Sequence, residues 1–73
     1  MPRLPLLSGA EVIRALERLG FEQVRQRGSH VVLRRDSIGC VVPLHRELKT
    51  GTLVGIIRQA QVTQEESLRA FAQ

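Results

Sequence analysis

The sequence predicts an α+β fold of order α-β-β-β-α(-α), in which one three-stranded antiparallel sheet carries its helices on one face. Three observations lead there. Two capping boxes, Ser8–Glu11 and Thr63–Glu66, open apolar-periodic runs. Three short segments between them, 21–27, 30–35 and 40–44, are separated by reversals too tight for parallel crossovers. Leu53, Ile56, Ile57 and Ala60 then recur at helical spacing.

Helix 8–19 comes first. Ser8 and Glu11 can exchange side-chain bonds with each other's amides, and Leu7 and Val12 are spaced as a hydrophobic staple. Val12, Ile13, Leu16 and Leu19 form its apolar stripe, and Gly20 supplies the stop. Segment 21–27 reads as a strand of imperfect alternation, followed by a turn or bulge at Gly28-Ser29 and a second strand, 30–35. Asp36 to Gly39 makes the next reversal. Strand 40–44 ends near Pro43, which suits an edge or a strand end.

After a polar loop, His45 to Thr50, the second helix starts near Thr50–Thr52. Gly55 inside it costs about 1 kcal/mol relative to alanine, so close packing is expected there. The third helix is expected to turn Leu68 and Phe71 inward.

Seventy-three residues make a single domain, 1–73, that buries roughly 60% of its unfolded surface. Leu4 to Leu7 is too short and too proline-broken for a signal peptide, and no stretch is long enough to span a membrane. A cytoplasmic location is expected. Cys40, the only cysteine, excludes an intramolecular disulfide and a CxxC site, and with two histidines no metal-ligand cluster is expected. The residue pattern implies no cofactor.

Charge is more informative. The net charge is +4, arginine dominates with Lys49 the only lysine, and the pI is about 11.1. Arg25, Arg27, Arg34 and Arg35 crowd into RQRGSHVVLRR without an acid, which points to a polyanion as partner as well as to a merely solvated face. Guanidinium groups clamp phosphate by two hydrogen bonds at once. Two phenylalanines and no Trp or Tyr argue against aromatic base-stacking platforms, so contact with the nucleic-acid backbone is expected.

His30 sits at the centre of this segment. Period two puts His30, Val32 and Arg34 on one face, with Val31 and Leu33 on the other. Structurally, His30 reads as a half-buried strand residue bonded to a carbonyl. Functionally, Gly28 admits a ligand backbone, the arginines hold phosphate, and imidazole exchanges protons near neutral pH. RNA carries its own nucleophile in the 2′-hydroxyl, so one base and good alignment are enough to cleave it without metal. His45 is a second candidate, against a plain loop role. Ser29 reads better as a turn residue than as a nucleophile, and Cys40 as core.

SGAEVIRALERLGF, VRQRGSHVVLRR, VVPLH and LKTGTLVGIIRQAQVTQEESL together resemble the HicA-type toxins of bacterial toxin–antitoxin modules, over about residues 8–68. The resemblance implies a double-stranded-RNA-binding-domain-like fold and ribosome-independent mRNA cleavage; since the residues offer no metal-ligand cluster, a metal-independent endoribonuclease is expected. It also implies a HicB-type antitoxin that masks the site, and its catalytic histidine falls on His30. His30 is then the general base and His45 a possible general acid. Arg25, Arg27, Gly28, Ser29, Arg34 and Lys49 are expected to bind RNA. No DNA binding by this chain alone and no membrane association are expected. Gln61 departs from the family, which often has glycine there, and Gly55 stands where relatives usually carry a polar side chain. Two other classes fit the residues: a non-catalytic RNA-binding module using the same basic face, and an interaction protein, which would need an exposed apolar surface. Incubation with mRNA separates the three by fragments, a shifted intact band, or neither.

Overall fold

Ser8 starts the first helix as its spacing predicts. Its hydroxyl oxygen accepts from the Glu11 amide at 3.1 Å, and the Glu11 carboxylate accepts from the Ser8 amide at 2.9 Å. The computed structural model describes residues 7–71, and in these the chain runs α1 (Gly9–Arg18), β1 (Glu22–Arg27), β2 (His30–Arg35), β3 (Ile38–Pro43), α2 (Thr50–Gln59) and α3 (Gln64–Phe71). Of the Leu4–Leu7 stretch, only Leu7 lies within the described residues. Among the described residues no helix is long and apolar enough to cross a membrane.

α1 and α2 end alike. At the first, Gly20 takes φ +96°, its amide donates to the Glu17 carbonyl at 3.0 Å, and the Phe21 amide donates to Leu16 at 3.0 Å. This is a Schellman cap, completed by the apolar pair Leu16 and Phe21, both buried. The second cap has the same bonds, Gln61 to Arg58 at 3.1 Å and Val62 to Ile57 at 3.3 Å. There the left-handed position is held by a glutamine, with φ +54°. A side chain in that conformation costs about 1–2 kcal/mol, which glycine would avoid. α3 opens with the expected box: the Glu66 amide donates to the Thr63 hydroxyl at 3.0 Å, and the Thr63 amide to Glu66 at 3.1 Å.

The sheet order is β1-β2-β3, all antiparallel. Both hairpins turn through two residues, Gly28-Ser29 and Asp36-Ser37, each with positive φ at its first residue. Gly28 takes this without strain, and Asp is among the few side chains that tolerate it. The second turn is tighter than expected, so β3 begins at Ile38 rather than Cys40. The imperfect alternation of β1 has a cause. The register slips between Gln23 and Arg25, which leaves Val24 as a bulge residue, 54% exposed.

Val31, Leu33, Cys40 and Val42 point to the helices and join Val12, Leu16, Phe21, Leu48, Leu53, Ile56 and Ala60 in one core without a buried polar side chain among the described residues. Two expectations fail. Leu68 is 63% exposed, because α3 packs on α1 through Ala70 and Phe71 instead. A side chain at Gly55 would meet nothing within 4 Å, so that glycine does not serve close packing.

Gly9 does. A Cβ there would overlap the Pro43 carbonyl oxygen and lie 3.0 Å from Leu44 Cα, while the Gly9 amide donates to the His45 carbonyl at 2.9 Å. The first turn of α1 is therefore seated directly on the exit of β3. At the outer edge of β3, the Val41 amide donates to the Gln59 side chain of α2 at 2.9 Å, and Pro43, of the same parity, has no amide to leave unpaired.

Two glycine-related variants should therefore move stability in opposite directions. Gly9→Ala forces backbone apart and should destabilise the protein by about 3 kcal/mol. Gln61→Gly relieves the left-handed residue and should stabilise by about 1 kcal/mol, seen as a Tm increase of about 4–8 °C. Thermal melts of both proteins check this; a Gly9→Ala protein as stable as the parent would contradict the close seating of α1.

Candidate functional site

The face of the sheet turned away from the helices is built by cross-strand register. Arg27 stands opposite His30, Arg25 opposite Val32, and Glu22 opposite Arg34; from the other side Pro43, Val41 and Gly39 oppose the same three β2 residues. Partners in an antiparallel pair share a face. Arg25, Arg27, His30 and Arg34 are therefore neighbours on one surface, and all four are exposed. His30 is not the half-buried strand histidine of the structural reading.

Glu22 was not apparent from the sequence. Strict alternation would turn it away from the Arg25–Arg27 face, but the extra residue at Val24 reverses the parity and brings it opposite Arg34. The only hint in the sequence was the irregular alternation itself.

The turn before His30 is tied to the loop after β3. The Leu44 amide donates to the Ser29 carbonyl at 2.6 Å, which extends the ladder one step past Pro43. His45 follows Leu44, is exposed, and has its carbonyl fixed by Gly9. Both histidines thus lie at the same end of the sheet. Gly28 is open above, with nothing within 4 Å of where a Cβ would be, and its carbonyl accepts from the Gln26 side chain at 3.0 Å. Lys49 lies outside the strands: it precedes α2 as its N-cap, exposed and without a side-chain capping bond.

Arg35 leaves the basic cluster. Its guanidinium donates to the Leu19 carbonyl at 2.8 Å, pairs with Glu66 at 3.2 Å, and lies 4.7 Å from the centre of the Phe21 ring. It fastens β2 to the end of α1 and the start of α3, on the helix side of the sheet. Hydrogen bonds from the Thr63 amide and then from Arg35 hold the Glu66 carboxyl below the usual carboxylate range.

Cys40 is core, as its alternation implied, and burial pushes its thiol up to about 11. A thiol so placed is a poor nucleophile. Among the described residues no group of three or more His, Cys, Asp or Glu side chains could hold a metal ion. A groove of 370 Å³ between α1 and α3, lined by Arg18, Leu19, Glu66, Arg69 and Ala70, takes no part in the His30 surface. That surface is open, which suits a polymer laid across it better than an enclosed small molecule.

A family model described as the HicA toxin of bacterial toxin–antitoxin systems matches residues 9–62. No curated protein matches the chain. The matched span runs from the seat of α1 through all three strands to Val62, and so contains every residue of the open face.

Cys40 provides a check on the core. Thiol alkylation at pH 8 should be slow in the native protein and should track global unfolding when denaturant is added. Fast labelling under native conditions, at the rate of a free thiol, would contradict the buried position.

Proposed function

Because the chain belongs to the HicA toxin family of bacterial toxin–antitoxin modules, we propose that it arrests growth by cutting messenger RNA and that His30 carries the reaction. As a member of that family it is the toxin of a pair, and its partner is an antitoxin. The observation that carries the proposal is the grouping of an exposed His30 with Arg25, Arg27 and Arg34 on one open face.

The chemistry follows from that grouping. Arg27, opposite His30, holds the phosphate whose ester bond breaks, and Arg25 and Arg34 hold phosphates further along the strand. His30 removes the proton from the adjacent 2′-hydroxyl. The freed oxygen attacks phosphorus, the bond to the 5′-oxygen breaks, and the products are a 2′,3′-cyclic phosphate and a 5′-hydroxyl end. The leaving oxygen takes a proton, for which His45, at the same end of the sheet, is the candidate donor. No ion is required, since alignment, one base and positive charge lower the barrier. Gly28 and Ser29 serve by shape: the turn keeps side-chain bulk away from the approach to His30. Lys49, outside the strand face, contributes a more distant phosphate contact. The antitoxin, of HicB type, covers the same open face.

His30→Gln keeps the size of the side chain but not proton transfer, and should cleave RNA at least about a hundredfold more slowly while remaining folded and able to bind. His45→Gln should cost less than about tenfold if His45 only borders the site, and as much as His30→Gln, with loss of the alkaline limb of the pH–rate profile, if it is the acid. Thermal melts accompany both. A folded His30→Gln protein that cleaves at the parent rate would remove His30 from the mechanism and leave it a structural residue on a basic strand.

Arg27→Glu and Arg34→Glu should each weaken binding irrespective of RNA sequence, since phosphate contacts carry no base information. Each should also flatten the salt dependence by about 0.7 log units per log unit of salt on single-stranded RNA. An unchanged slope in both variants would put the RNA on another surface.

A further inference from the structure

We propose that β2 works as a ruler for single-stranded RNA, one nucleotide for every two residues, with His30 at the cleaved linkage, Val32 and Val41 under the neighbouring nucleoside, and Arg34 on the phosphate two linkages away. This rests on the RNA-cleavage reading above and adds to it the path and spacing of the substrate.

Spacing comes first. Side chains on one face of a strand recur every two residues, about 6.6–6.8 Å along the strand. Two residues of peptide and one nucleotide have the same number of backbone bonds, so an extended RNA chain can keep pace with alternate side chains. On the open face of β2 those side chains are His30, Val32 and Arg34, in that order.

Their chemistry alternates to match. At the first step, His30 and Arg27 form a cross-strand pair, a base beside a phosphate clamp. At the second step the face is apolar: Val32 is half-buried and Val41, directly across, is 38% exposed. An apolar pair on an otherwise arginine-bearing surface suits the flat side of a base or a ribose, and Arg25 on the other side of Val32 reaches the phosphate between steps. At the third step Arg34 supplies another guanidinium. Glu22 opposite Arg34 sets the far limit of the path on the β1 side, because a carboxylate repels the next phosphate.

The occupant is single-stranded for a chemical reason. In-line attack by the 2′-oxygen needs the sugar–phosphate backbone to leave its helical conformation, which an unpaired strand does readily and a stacked duplex resists. Aliphatic rather than aromatic side chains under the base give little preference among bases, and sequence selectivity along this path should be weak.

The test uses pentanucleotides that are deoxy except for one ribonucleotide, so that one linkage can be cleaved, with a neutral methylphosphonate placed in turn at each other linkage. On the fully charged substrate Arg34→Ala should raise KM about tenfold, as expected for loss of a charge-assisted contact. That penalty should shrink to less than about twofold only when the methylphosphonate is two linkages from the cleaved one. Val41→Ser should raise KM about threefold on the intact substrate, and an abasic nucleotide beside the cleaved linkage should remove most of that loss. Equal Arg34→Ala penalties on all methylphosphonates, or loss of the penalty at the adjacent linkage, would overturn the spacing.

Binding of the same oligonucleotides, followed by fluorescence anisotropy, keeps the two ideas distinct. If the wild-type protein cleaves none of them, the cleavage reading fails. The ruler still stands if Arg27→Ala and Arg34→Ala each lose sensitivity to a methylphosphonate at linkages two apart, and falls if they respond to the same linkage.

Discussion

Much of this molecule depends on one backbone contact without a side chain, the seating of Gly9 on Pro43 and Leu44. It fixes where α1 begins, and therefore which of its residues reach the sheet. From it a short chain of hydrogen bonds runs toward the candidate site: Gly9 to the His45 carbonyl, and Leu44 to the Ser29 carbonyl, next to His30. Helix, loop and hairpin turn are thus joined through main-chain atoms, which are held more firmly than side chains. A histidine at the end of a hairpin would ordinarily sit at a fraying point; here the end is fastened.

The arginines divide along the same line. Arg35 faces the helices, where a carbonyl, a carboxylate and an aromatic ring engage it in holding α1, β2 and α3 together. Arg25, Arg27 and Arg34 face outward, and among the described residues none of them is in a salt bridge. One residue's parity along a strand separates a structural guanidinium from a solvent-facing one. Since the core contains no buried polar side chain among the described residues, the outward charges compromise nothing inside.

Local chemistry was legible from sequence and tertiary chemistry was not. Both capping boxes, the Gly20 stop, β2 from His30 to Arg35 and the core face of α2 follow from short-range rules and appear as read. The bulge at Val24 was visible only as irregular alternation, since it is defined by the register of a partner strand. Leu68 looked like a core residue because helical spacing cannot say which side of a terminal helix meets its neighbour. Gly55 looked like a contact, while nothing local marked Gly9, whose close packing depends on a segment some thirty-five residues distant. Of the candidate site, the grouping of His30 with Arg34 was legible from period two, while the positions of Arg25 and Arg27 beside it required the hairpin register.

The proposed reaction also suits an open surface on so small a protein. Cleaving RNA through its own 2′-hydroxyl asks for no enclosed cavity, no cofactor cradle and no acyl-type nucleophile, all of which would demand more core than a three-stranded sheet and three short helices supply. What it asks for is a base and positive charge held at fixed separation, and adjacent antiparallel strands provide that at the cost of two tight turns. Among the described residues the face is exposed from Arg25 and Arg27 to His30 and Arg34. On the proposed reading, restraint would come from a molecule that occupies the face, and the family to which the chain belongs pairs its toxin with an antitoxin.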